Sequence, residues 1–468
     1  MRGPDCRSTR VPKRLHPGTN TTARTTSHRR LLSKSAKTPS LMYPNYLIPL
    51  LLALPLPTMG WILGDLFLKD YGHRGSIAAL WEQRWKTPCQ AAVYPFHDGR
   101  CEDFEPVFQH LIADDINDPY DDAYTTAFLP KARELVQQAR ALTTLGASAK
   151  VEDREKAKEL FLRANAVFRI ARFPYVGTEL KREVFEEQKA AYMQGAQLWD
   201  VPMREEVVPH VHAANGDGDA LPLYVRYPKG GNGTFPTILL INGLDGHRPD
   251  NTERAEEFLR RGWATVICDI PGTTVDCPAN RRDPLSPDRL FSTILEYIAQ
   301  HPRLDETRVI AWGLSAGGYY AVRLAHTHRE KLLGSVGHGA GTHYAMGREW
   351  LEQVAKHEYP FGLEEAYAQK YGYGDFEEVM ERCQNEFSLV SGKGDGVAVV
   401  GQGMASCRLL MVNGVLDGIM PVEDSMLLSE YGRPKEMRFI KERLHMGYPE
   451  ANAIVYPWLE EVMASKVG

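Results

Sequence analysis

The sequence predicts an α/β protein with a doubly wound, mostly parallel β-sheet. After residue 201, short runs rich in aliphatic and β-branched residues alternate with longer helical segments, the pattern of parallel strands joined by crossover helices. The pentapeptide GLSAG at 313–317 stands between one such strand and the next helix, which places a serine at the carboxyl edge of the sheet. Before residue 200, apolar residues at helical spacing predict a separate helical region.

Residues 59–200 are predicted to form this N-terminal helical domain. We expect one helix with Pro130 in its first turn and Gly146 at its end, because proline suits the start of a helix and glycine its end. Further helices are expected at about 154–172 and 178–199, where apolar side chains share one face. No residue of the region indicates chemistry by itself.

Residues 201–468 are predicted to form an α/β catalytic domain. The wholly apolar run TILLI at 237–241 is typical of a buried parallel strand. The predicted strands are 221–227, 237–241, 264–268, 309–312, 332–336, 408–412 and 438–440. Predicted helices begin at Ser286 and Pro287, cover 316–327, and close the chain at 449–463.

An insertion at about 342–390 interrupts the alternation with aromatic-rich, helical sequence. It follows the strand after the serine, so we expect it to hang over the strand ends as a lid. A surface excursion with its own small core is the alternative. The glycine-rich segment 391–403 after it predicts a flexible loop.

The charge is unevenly distributed along the chain. Residues 1–40 carry ten Lys and Arg against one acid, Asp5. We expect residues 1–58 to be a disordered basic leader or extension. Alternatively, translation starts at Met42 or Met59, and the residues before that start are not part of the working protein. From Leu41 onward, 45 basic and 59 acidic residues give about −14, which argues against a nucleic-acid partner.

Membrane insertion and a secreted, disulfide-bonded fold are both disfavoured. The apolar run 47–57 has about half the length of a membrane span and contains three prolines. The seven cysteines are scattered and form no C-x-x-C pair, which favours a reducing compartment. We therefore expect a cytoplasmic location, with association with endosomes or vesicles as an addition.

Ser315 is the predicted nucleophile. The pattern G-x-S-x-G marks a sharp strand-to-helix turn that lifts a serine hydroxyl clear of the sheet in α/β-hydrolase folds. Alone it is weak, because it arises by chance in roughly one chain in six of this composition. The strand before it and the helix after it favour the nucleophile over a turn without chemistry.

A serine needs a base to take its proton and a carboxylate to orient that base, and on this fold they follow in the order serine, acid, histidine. Asp417 follows the strand at 408–412 in the loop NGVLDG, although an aspartate before glycine is also common in ordinary turns. His445 is the one histidine in the sequence after Asp417. We predict these two residues as acid and base, with an exposed loop histidine as the alternative for His445.

Other residues are predicted around this triad. The oxyanion should be held by the amide of Ala316 and by that of Leu244, or its neighbour Gly243, although the loop NGLDG could be a simple tight turn. Substrate contacts are expected from four further side chains: Asp245, Tyr319, His338 and Tyr344.

Neither a metal nor a cofactor is expected. His338 and His343 flank a glycine-rich turn, but no acidic or cysteine ligand is spaced with them and no H-E-x-x-H occurs. The sequence also lacks G-x-x-x-x-G-K-[ST] and G-x-G-x-x-G, so it predicts no nucleotide-binding loop.

Several longer strings resemble one known family. They are WILGD (61–65), YPFHDG (94–99), RFPYV (172–176), GLDGHRPDN (243–251), WGLSAGGYYA (312–321), NGVLDG (413–418) and HMGYP (445–449). They resemble the fungal pigment-pathway heptaketide hydrolyases, the yellowish-green group of melanin biosynthesis, from Met59 to the end of the chain. The family's triad falls on Ser315, Asp417 and His445; the segment 391–403 looks longer than is usual there.

The resemblance implies a serine hydrolase that shortens an aromatic polyketide, a heptaketide or naphthopyrone. Cleavage of a carbon–carbon bond would release an acetoacetyl or acetyl unit and leave 1,3,6,8-tetrahydroxynaphthalene, without a cofactor and in a homodimer. A carboxylic-ester hydrolase is the first alternative, because the same triad cleaves esters. A non-catalytic ligand-binding protein on a hydrolase scaffold is the second, and an intact serine, acid and histidine argue against it.

Overall fold

A mixed β-sheet forms the centre of the computed structural model, which describes residues 60–465 except 145–149, 231–232, 391–399, 401–403 and 433. Its eight strands within that part of the chain are β1 (Arg204–Pro209), β2 (Ala220–Arg226), β3 (Phe235–Ile241), β4 (Ala264–Cys268), β5 (Leu304–Leu314), β6 (Gly334–His338), β7 (Arg408–Gly414) and β8 (Lys435–Ile440). They lie in the order β1-β2-β4-β3-β5-β6-β7-β8. β2 pairs antiparallel with both β1 and β4, and the remaining neighbours pair in parallel, which confirms the predicted mostly parallel sheet.

Helices cover both faces of this sheet. Those before it are α1 (Ile77–Leu80), which runs through a π turn (Trp81–Trp85) into α2 (Lys86–Gln90), then α3 (Cys101–Ala113), α4 (Asp122–Thr143), α5 (Val151–Arg172) and α6 (Glu179–Ala196). Those among and after the strands are α7 (Thr252–Arg260), α8 (Ser286–Gln300), α9 (Ala316–Thr327), α10 (Arg348–Val354), α11 (Leu363–Tyr371), α12 (Phe376–Phe387), α13 (Val422–Leu427) and α14 (Asn452–Ala464).

The strand residues alternate between two hydrophobic layers. In β3, Ile238 and Leu240 join the layer that contains the buried side chains of α7 and α14, whereas Leu239 and Ile241 join the layer that contains those of α8 and α9. All four are fully buried, so both faces of the strand are covered. This explains why the central strands are apolar without a break.

One predicted helix boundary is wrong. Pro130 lies inside α4, which begins at Asp122 after a cap in which Asp121 accepts a hydrogen bond from the amide of Ala123 at 2.8 Å. The helix tolerates the proline because the neighbouring side chains of Phe128, Leu129 and Ala132 are buried, so tertiary packing outweighs one lost backbone hydrogen bond. Gly146 lies outside the described residues.

Several strands also differ from expectation. β5 begins at Leu304 rather than at residue 309, and β8 begins at Lys435 rather than at residue 438. β1 is not predicted, because its sequence REEVVP is polar and its residues are largely exposed at the sheet edge. β6 begins at Gly334 rather than at residue 332, and glycines at 334 and 337 hide it from a propensity argument. The predicted insertion contains α10, α11 and α12 between β6 and β7, while the predicted loop at 391–403 falls outside the described residues apart from Val400.

Buried charges join the helices that precede the sheet to the loop after β3. In α5, Arg169 and Arg172 are fully buried and both pair with Asp250. Arg172 also donates a hydrogen bond to the backbone carbonyl of Asp245 at 3.0 Å. Because a buried charge is costly unless it is paired and hydrogen-bonded, this network fixes the loop against α5.

Candidate active site

Ser315 occupies a sharp turn between β5 and α9. Its φ of 55° and ψ of −121° lie in a region that side-chain-bearing residues rarely adopt. A Cβ atom at Gly313 would lie 2.1 Å from the carbonyl oxygen of Gly317, and one at Gly317 would lie 2.2 Å from that of Asn242. The two glycines of the motif are therefore required by backbone contact, and the turn exposes the hydroxyl.

His445 follows β8 and lies between the serine and the acid. Its Nε2 atom is 2.8 Å from Oγ of Ser315, and its Nδ1 atom is 2.7 Å from Oδ2 of Asp417. The structure thus brings together three side chains that are far apart in the sequence. The arrangement permits a proton to pass from the serine hydroxyl to Nε2.

Asp417 is 1% exposed, in the loop after β7. While Oδ2 faces His445, Oδ1 accepts hydrogen bonds from the amides of Ile419 and Met420, each at 2.8 Å. Two amides and one imidazole N–H therefore compensate the burial of this carboxylate.

A second acid, Glu358, comes from the insertion and contacts both triad loops. It accepts hydrogen bonds from the amide of Gly418 at 2.9 Å and from that of His445 at 3.1 Å. Burial, followed by the nearby charge of Asp417, raises the pKa of Glu358 to about 7. Sequence reasoning missed this residue, because nothing in the spacing of HEYPFG marks it.

The charges around His445 favour its protonated form. Burial alone would lower the pKa of the imidazole, but the charge and hydrogen bond of Asp417, together with Glu358 and Asp245, raise that pKa above 6.5. His445 is therefore a stronger base than an ordinary histidine, as a general base in this position requires.

Two backbone segments beside Ser315 could hold an oxyanion. Ala316 is the first residue of α9, so its amide N–H lies at the positive, N-terminal end of the helix dipole. Gly243 lies against the nucleophile turn, since a Cβ there would be 3.3 Å from that of Ser315, and Leu244 follows it in the cavity wall. The amides of these three residues donate no hydrogen bond to another described residue. They are therefore free to donate to an oxyanion.

Ser315 opens into a cavity of about 490 Å³ with a mostly apolar and aromatic wall. Its lining comes from three parts of the chain: the helical region before the sheet, the loops at the carboxyl edge of the sheet, and the insertion. The helical region contributes Arg84, Trp85, Pro88, Tyr94 and Phe173. The carboxyl edge of the sheet contributes Asp245, Arg254, Ile419 and Tyr448, and the insertion contributes Glu358, Tyr359, Leu363 and Tyr367.

Asp245 is the polar centre of that wall. It accepts a hydrogen bond from the hydroxyl of Tyr359 at 3.1 Å, and Tyr94 bonds the same carboxyl group. Burial raises the pKa of Asp245 above its ordinary value, although both tyrosines oppose the shift. Asp245, a predicted substrate contact, thus lies in the cavity wall, whereas no sequence pattern distinguishes Tyr94 or Tyr359.

The other three predicted substrate contacts lie elsewhere. His338 is fully buried beneath the site, where its Nε2–H donates to the carbonyl of Met446 at 2.6 Å and its own carbonyl accepts the amide of Ser315 at 2.8 Å. Tyr319 lines a separate small cavity and donates to the carbonyl of Phe387 at 2.9 Å. Tyr344 packs on Trp61, with ring centroids 6.0 Å apart.

No local sequence pattern shows what covers these three side chains. His338 packs against Trp312 and Tyr448, Tyr319 against Tyr320, and Tyr344 against Trp61. Burial lowers the pKa of His338 to about 3, so its ring is a neutral bridge between two loops.

The described residues contain no group of three or more His, Cys, Asp or Glu side chains that could hold a metal ion. Among the helices in the same part of the chain, none is long and apolar enough to cross a membrane.

Comparisons with solved structures bear on the fold. The chain resembles 2,6-dihydroxy-pseudo-oxynicotine hydrolase with a TM-score of 0.58 and 19% identity, over 73% of this chain and 89% of that one. It resembles AbyA5 with a TM-score of 0.54 and 19% identity, over 77% and 95% of the two chains. At this identity the likeness concerns the fold alone, and it confirms the predicted α/β-hydrolase architecture.

Comparisons of sequence bear on the family. Esterase FrsA of Salmonella paratyphi B and that of Salmonella newport are each 29% identical over 183 residues, which is 39% of this chain. The match spans only 42% of the length of those relatives. The family profile described as esterase FrsA-like matches residues 134–464, well over half of the chain. These matches do not single out the fungal pigment-pathway hydrolases, and on the extent of the profile match the chain belongs to the FrsA-like esterase family.

Proposed function

We propose that the chain is a serine hydrolase that cleaves carboxylic esters through an acyl-enzyme. The observation that carries the proposal is the continuous line from Asp417 through His445 to Ser315, with 2.7 and 2.8 Å between the interacting atoms, at the base of an apolar cavity. Membership of the FrsA-like esterase family supports the same activity.

The geometry suits each step of ester hydrolysis. Nε2 of His445 takes the hydroxyl proton as Oγ of Ser315 attacks the ester carbonyl, and the amides of Ala316 and Leu244 stabilise the oxyanion. The imidazolium then protonates the departing alkoxide, leaving the acyl group on Ser315. A water molecule that loses its proton to His445 releases the acid and restores the serine.

Labelling with a fluorophosphonate tests this proposal. The purified chain should form a covalent adduct on the peptide that contains Ser315 and should hydrolyse aryl esters, and Ser315→Ala should lose both. A folded wild-type chain that neither takes up the label nor turns over any ester would favour a non-catalytic ligand-binding protein.

A second candidate is cleavage of a carbon–carbon bond in an aromatic polyketide, and the group formed by Asp245, Tyr94 and Tyr359 favours it. Ester hydrolysis leaves no role for this polar group in the wall. A carboxyl group with a raised pKa and two phenols can hydrogen-bond a keto or phenolic oxygen on a ring, so they stabilise negative charge that moves into that ring.

In this second reaction, Ser315 attacks the side-chain ketone, and the bond to the ring carbon breaks with its electron pair on the ring. His445 donates the serine proton to that carbon, and water later releases the acyl unit as acetoacetate or acetate. The aromatic product would be 1,3,6,8-tetrahydroxynaphthalene, as the resemblance to the heptaketide hydrolyases implies. The aromatic wall would stack on such a planar substrate.

Mass analysis of both fragments tests the second candidate. Incubation with a naphthopyrone or heptaketide should yield the short acid and a naphthol, and Asp245→Asn should slow this reaction more than it slows aryl-ester hydrolysis. Turnover of simple esters with no polyketide cleavage would leave the esterase as the function.

A further inference from the structure

The wall of the cavity contains an arginine without a counter-ion. Arg84 lies in the π turn between α1 and α2 and lines the cavity that Ser315 opens into. Its Nε–H donates to Nδ1 of His73 over 3.4 Å, while its Nη2 atom is buried and has no hydrogen-bond partner within the described residues. Most other buried or half-buried arginines among the described residues pair with a carboxylate, and Arg84 does not. Arg254, in the same wall, also lacks a carboxylate, but it donates to the hydroxyl of Tyr448 at 2.8 Å and to Oδ1 of Asn251 at 3.3 Å.

The groups that hold Arg84 in place are neutral. Burial lowers the pKa of His73, and the adjacent Arg84 and Arg74 lower it further, so the imidazole carries no charge at neutral pH. Its Nε2–H donates to the carbonyl of Tyr359 at 2.8 Å, which leaves Nδ1 as the acceptor for Arg84. The guanidinium also lies 4.4 Å from the centroid of the Tyr71 ring. These contacts fix the direction of the guanidinium and leave its charge in place.

The acids of the same cavity are engaged elsewhere. Asp250 is bound by Arg169 and Arg172, Asp245 by the hydroxyl of Tyr359, and Glu358 by the amides of Gly418 and His445. A buried N–H of a charged group without a partner is costly. The Arg84 side chain nevertheless lines the cavity and pairs with no carboxylate of the described residues, so an anion in the cavity can supply the counter-charge to its guanidinium.

We propose that Arg84 is the anion-binding subsite of this cavity, and that the substrate carries a carboxylate or an ionised phenol at a distance from the carbonyl that Ser315 attacks. Trp85, Pro88 and Phe173 stand beside Arg84 in the wall, so the anionic oxygen belongs to a flat, apolar body. The inference rests on the proposed function, because it assumes that the cavity receives the substrate.

Binding of 1-naphthoate and of 1-naphthamide to the full chain tests the subsite. The two probes share the ring and differ in charge, and calorimetry measures both without any turnover. Wild type should bind naphthoate more tightly than naphthamide. Arg84→Gln should raise the Kd for naphthoate by about tenfold to a hundredfold and leave the Kd for naphthamide unchanged. Arg84→Lys should retain part of the preference, since it keeps the charge but not the planar fork.

Lys86→Gln is the matched control. It removes one positive charge two residues along, from a side chain that pairs with Glu82 at 3.0 Å and does not line the cavity. Equal binding of the two probes by wild type, or equal behaviour of Arg84→Gln and Lys86→Gln, would overturn the inference. If Arg84→Gln fails to fold, the inference is still tested by comparing the binding of the two probes to wild type and to Arg84→Lys.

The same experiment separates this inference from the proposed function. Protection of Ser315 from a fluorophosphonate by naphthoate, but not by naphthamide, supports both. An unlabelled Ser315 with an intact preference for naphthoate contradicts the hydrolase and leaves the subsite standing. A labelled Ser315 with no preference between the probes contradicts the subsite alone.

Discussion

The two carboxylate oxygens of Asp417 have different partners. One accepts from Nδ1–H of His445, and the other accepts from the amides of Ile419 and Met420. Because both oxygens are occupied by donors, the group can only act as an acceptor toward the imidazole. That fixes the tautomer in which Nε2 is free to take a proton from Ser315.

Replacement of Asp417 by asparagine should abolish most turnover without unfolding the protein. The amide has one acceptor oxygen and two N–H donors, so it cannot serve both sets of donors and favours the wrong tautomer of His445. We expect kcat for an aryl ester to fall by about 10⁴-fold, measured by steady-state kinetics. An unchanged circular dichroism spectrum is the control, and a fall of less than tenfold would contradict the assigned role.

The raised pKa of His445 predicts the acid limb of the pH profile. Only the neutral imidazole can accept the serine proton, so activity is present above the pKa and lost as pH falls through it. We expect kcat/KM to decline on the acid side with an apparent pKa above 6.5. A midpoint below 6.5 in the pH dependence of ester hydrolysis would contradict this expectation.

Glu358 should act as a positioning residue for the same histidine. Its charge is one of the causes that raise the pKa of His445, and its oxygens hold the loops of both triad partners. Glu358→Gln removes the charge but keeps an acceptor, so the apparent pKa of the acid limb should fall. Because Glu358 titrates in the same range, the profile reports the coupled pair.

Glu352→Gln, an exposed change in α10, is the control for that measurement and should leave the profile as it is in wild type. If Glu358→Gln lowers kcat with no movement of the acid limb, the role of Glu358 is confined to backbone support.

At the scale of the elements, sequence periodicity located the central strands, but it misjudged several element boundaries and missed β1. The run at 237–241 is apolar on both faces because helices cover both faces of the sheet. Such a short apolar run is typical of a buried parallel strand. Pro130 misled the prediction of α4, because the burial of Phe128 and Ala132 decides the helix and local propensity does not. β1 is an exposed edge strand whose pairing with β2 defines it.

The contact between α5 and the loop after β3 should be sensitive to one acid. Asp250 is 3% exposed and accepts from Arg169, Arg172, Gln188 and the amide of His247, so Asp250→Asn leaves two buried arginines short of a counter-charge. We expect the free energy of unfolding to fall by about 3 to 5 kcal/mol, measured by denaturant titration. Glu253→Gln, at an exposed position in α7, should change it little.

The same network predicts a pH dependence of stability. Burial alone would raise the pKa of Asp250, but Arg172 and Arg169 hold it below its ordinary value. A depressed pKa contributes stability at pH values above the ordinary aspartate range, and that contribution is lost as pH falls below it. The stability difference between wild type and Asp250→Asn should therefore shrink in acid, and a constant difference between pH 7 and pH 3 would contradict the role.

At the scale of the whole molecule, the sequence predicts the triad because chain order and loop position suffice for it. It does not predict the cavity wall, because the wall is assembled from distant segments whose mutual packing no local pattern encodes. Of the four expected substrate contacts, Asp245 lies in the wall and Tyr319, His338 and Tyr344 do not. The sheet order, with β3 between β4 and β5, likewise follows from tertiary packing alone.

A molecule in the cavity should slow amide hydrogen exchange in all three contributing segments. A fluorophosphonate adduct on Ser315 should slow amide hydrogen exchange around residues 84–96, 243–251 and 358–367, because each contributes to the wall. The edge strand β1 serves as the internal reference and should not change. Protection restricted to the neighbourhood of Ser315 would contradict a shared enclosure.

The bridge made by His338 has a consequence for redesign. Its ring and its carbonyl tie the serine turn to the histidine loop, and its side chain is fully buried. Glu358, Ile419, Met420 and Met446 both support the proton relay and line the cavity, whereas Trp85, Pro88 and Tyr94 of the helical wall make none of these supporting contacts. Mutant libraries in the helical wall could retarget selectivity toward new ligands while the reactive centre keeps its alignment.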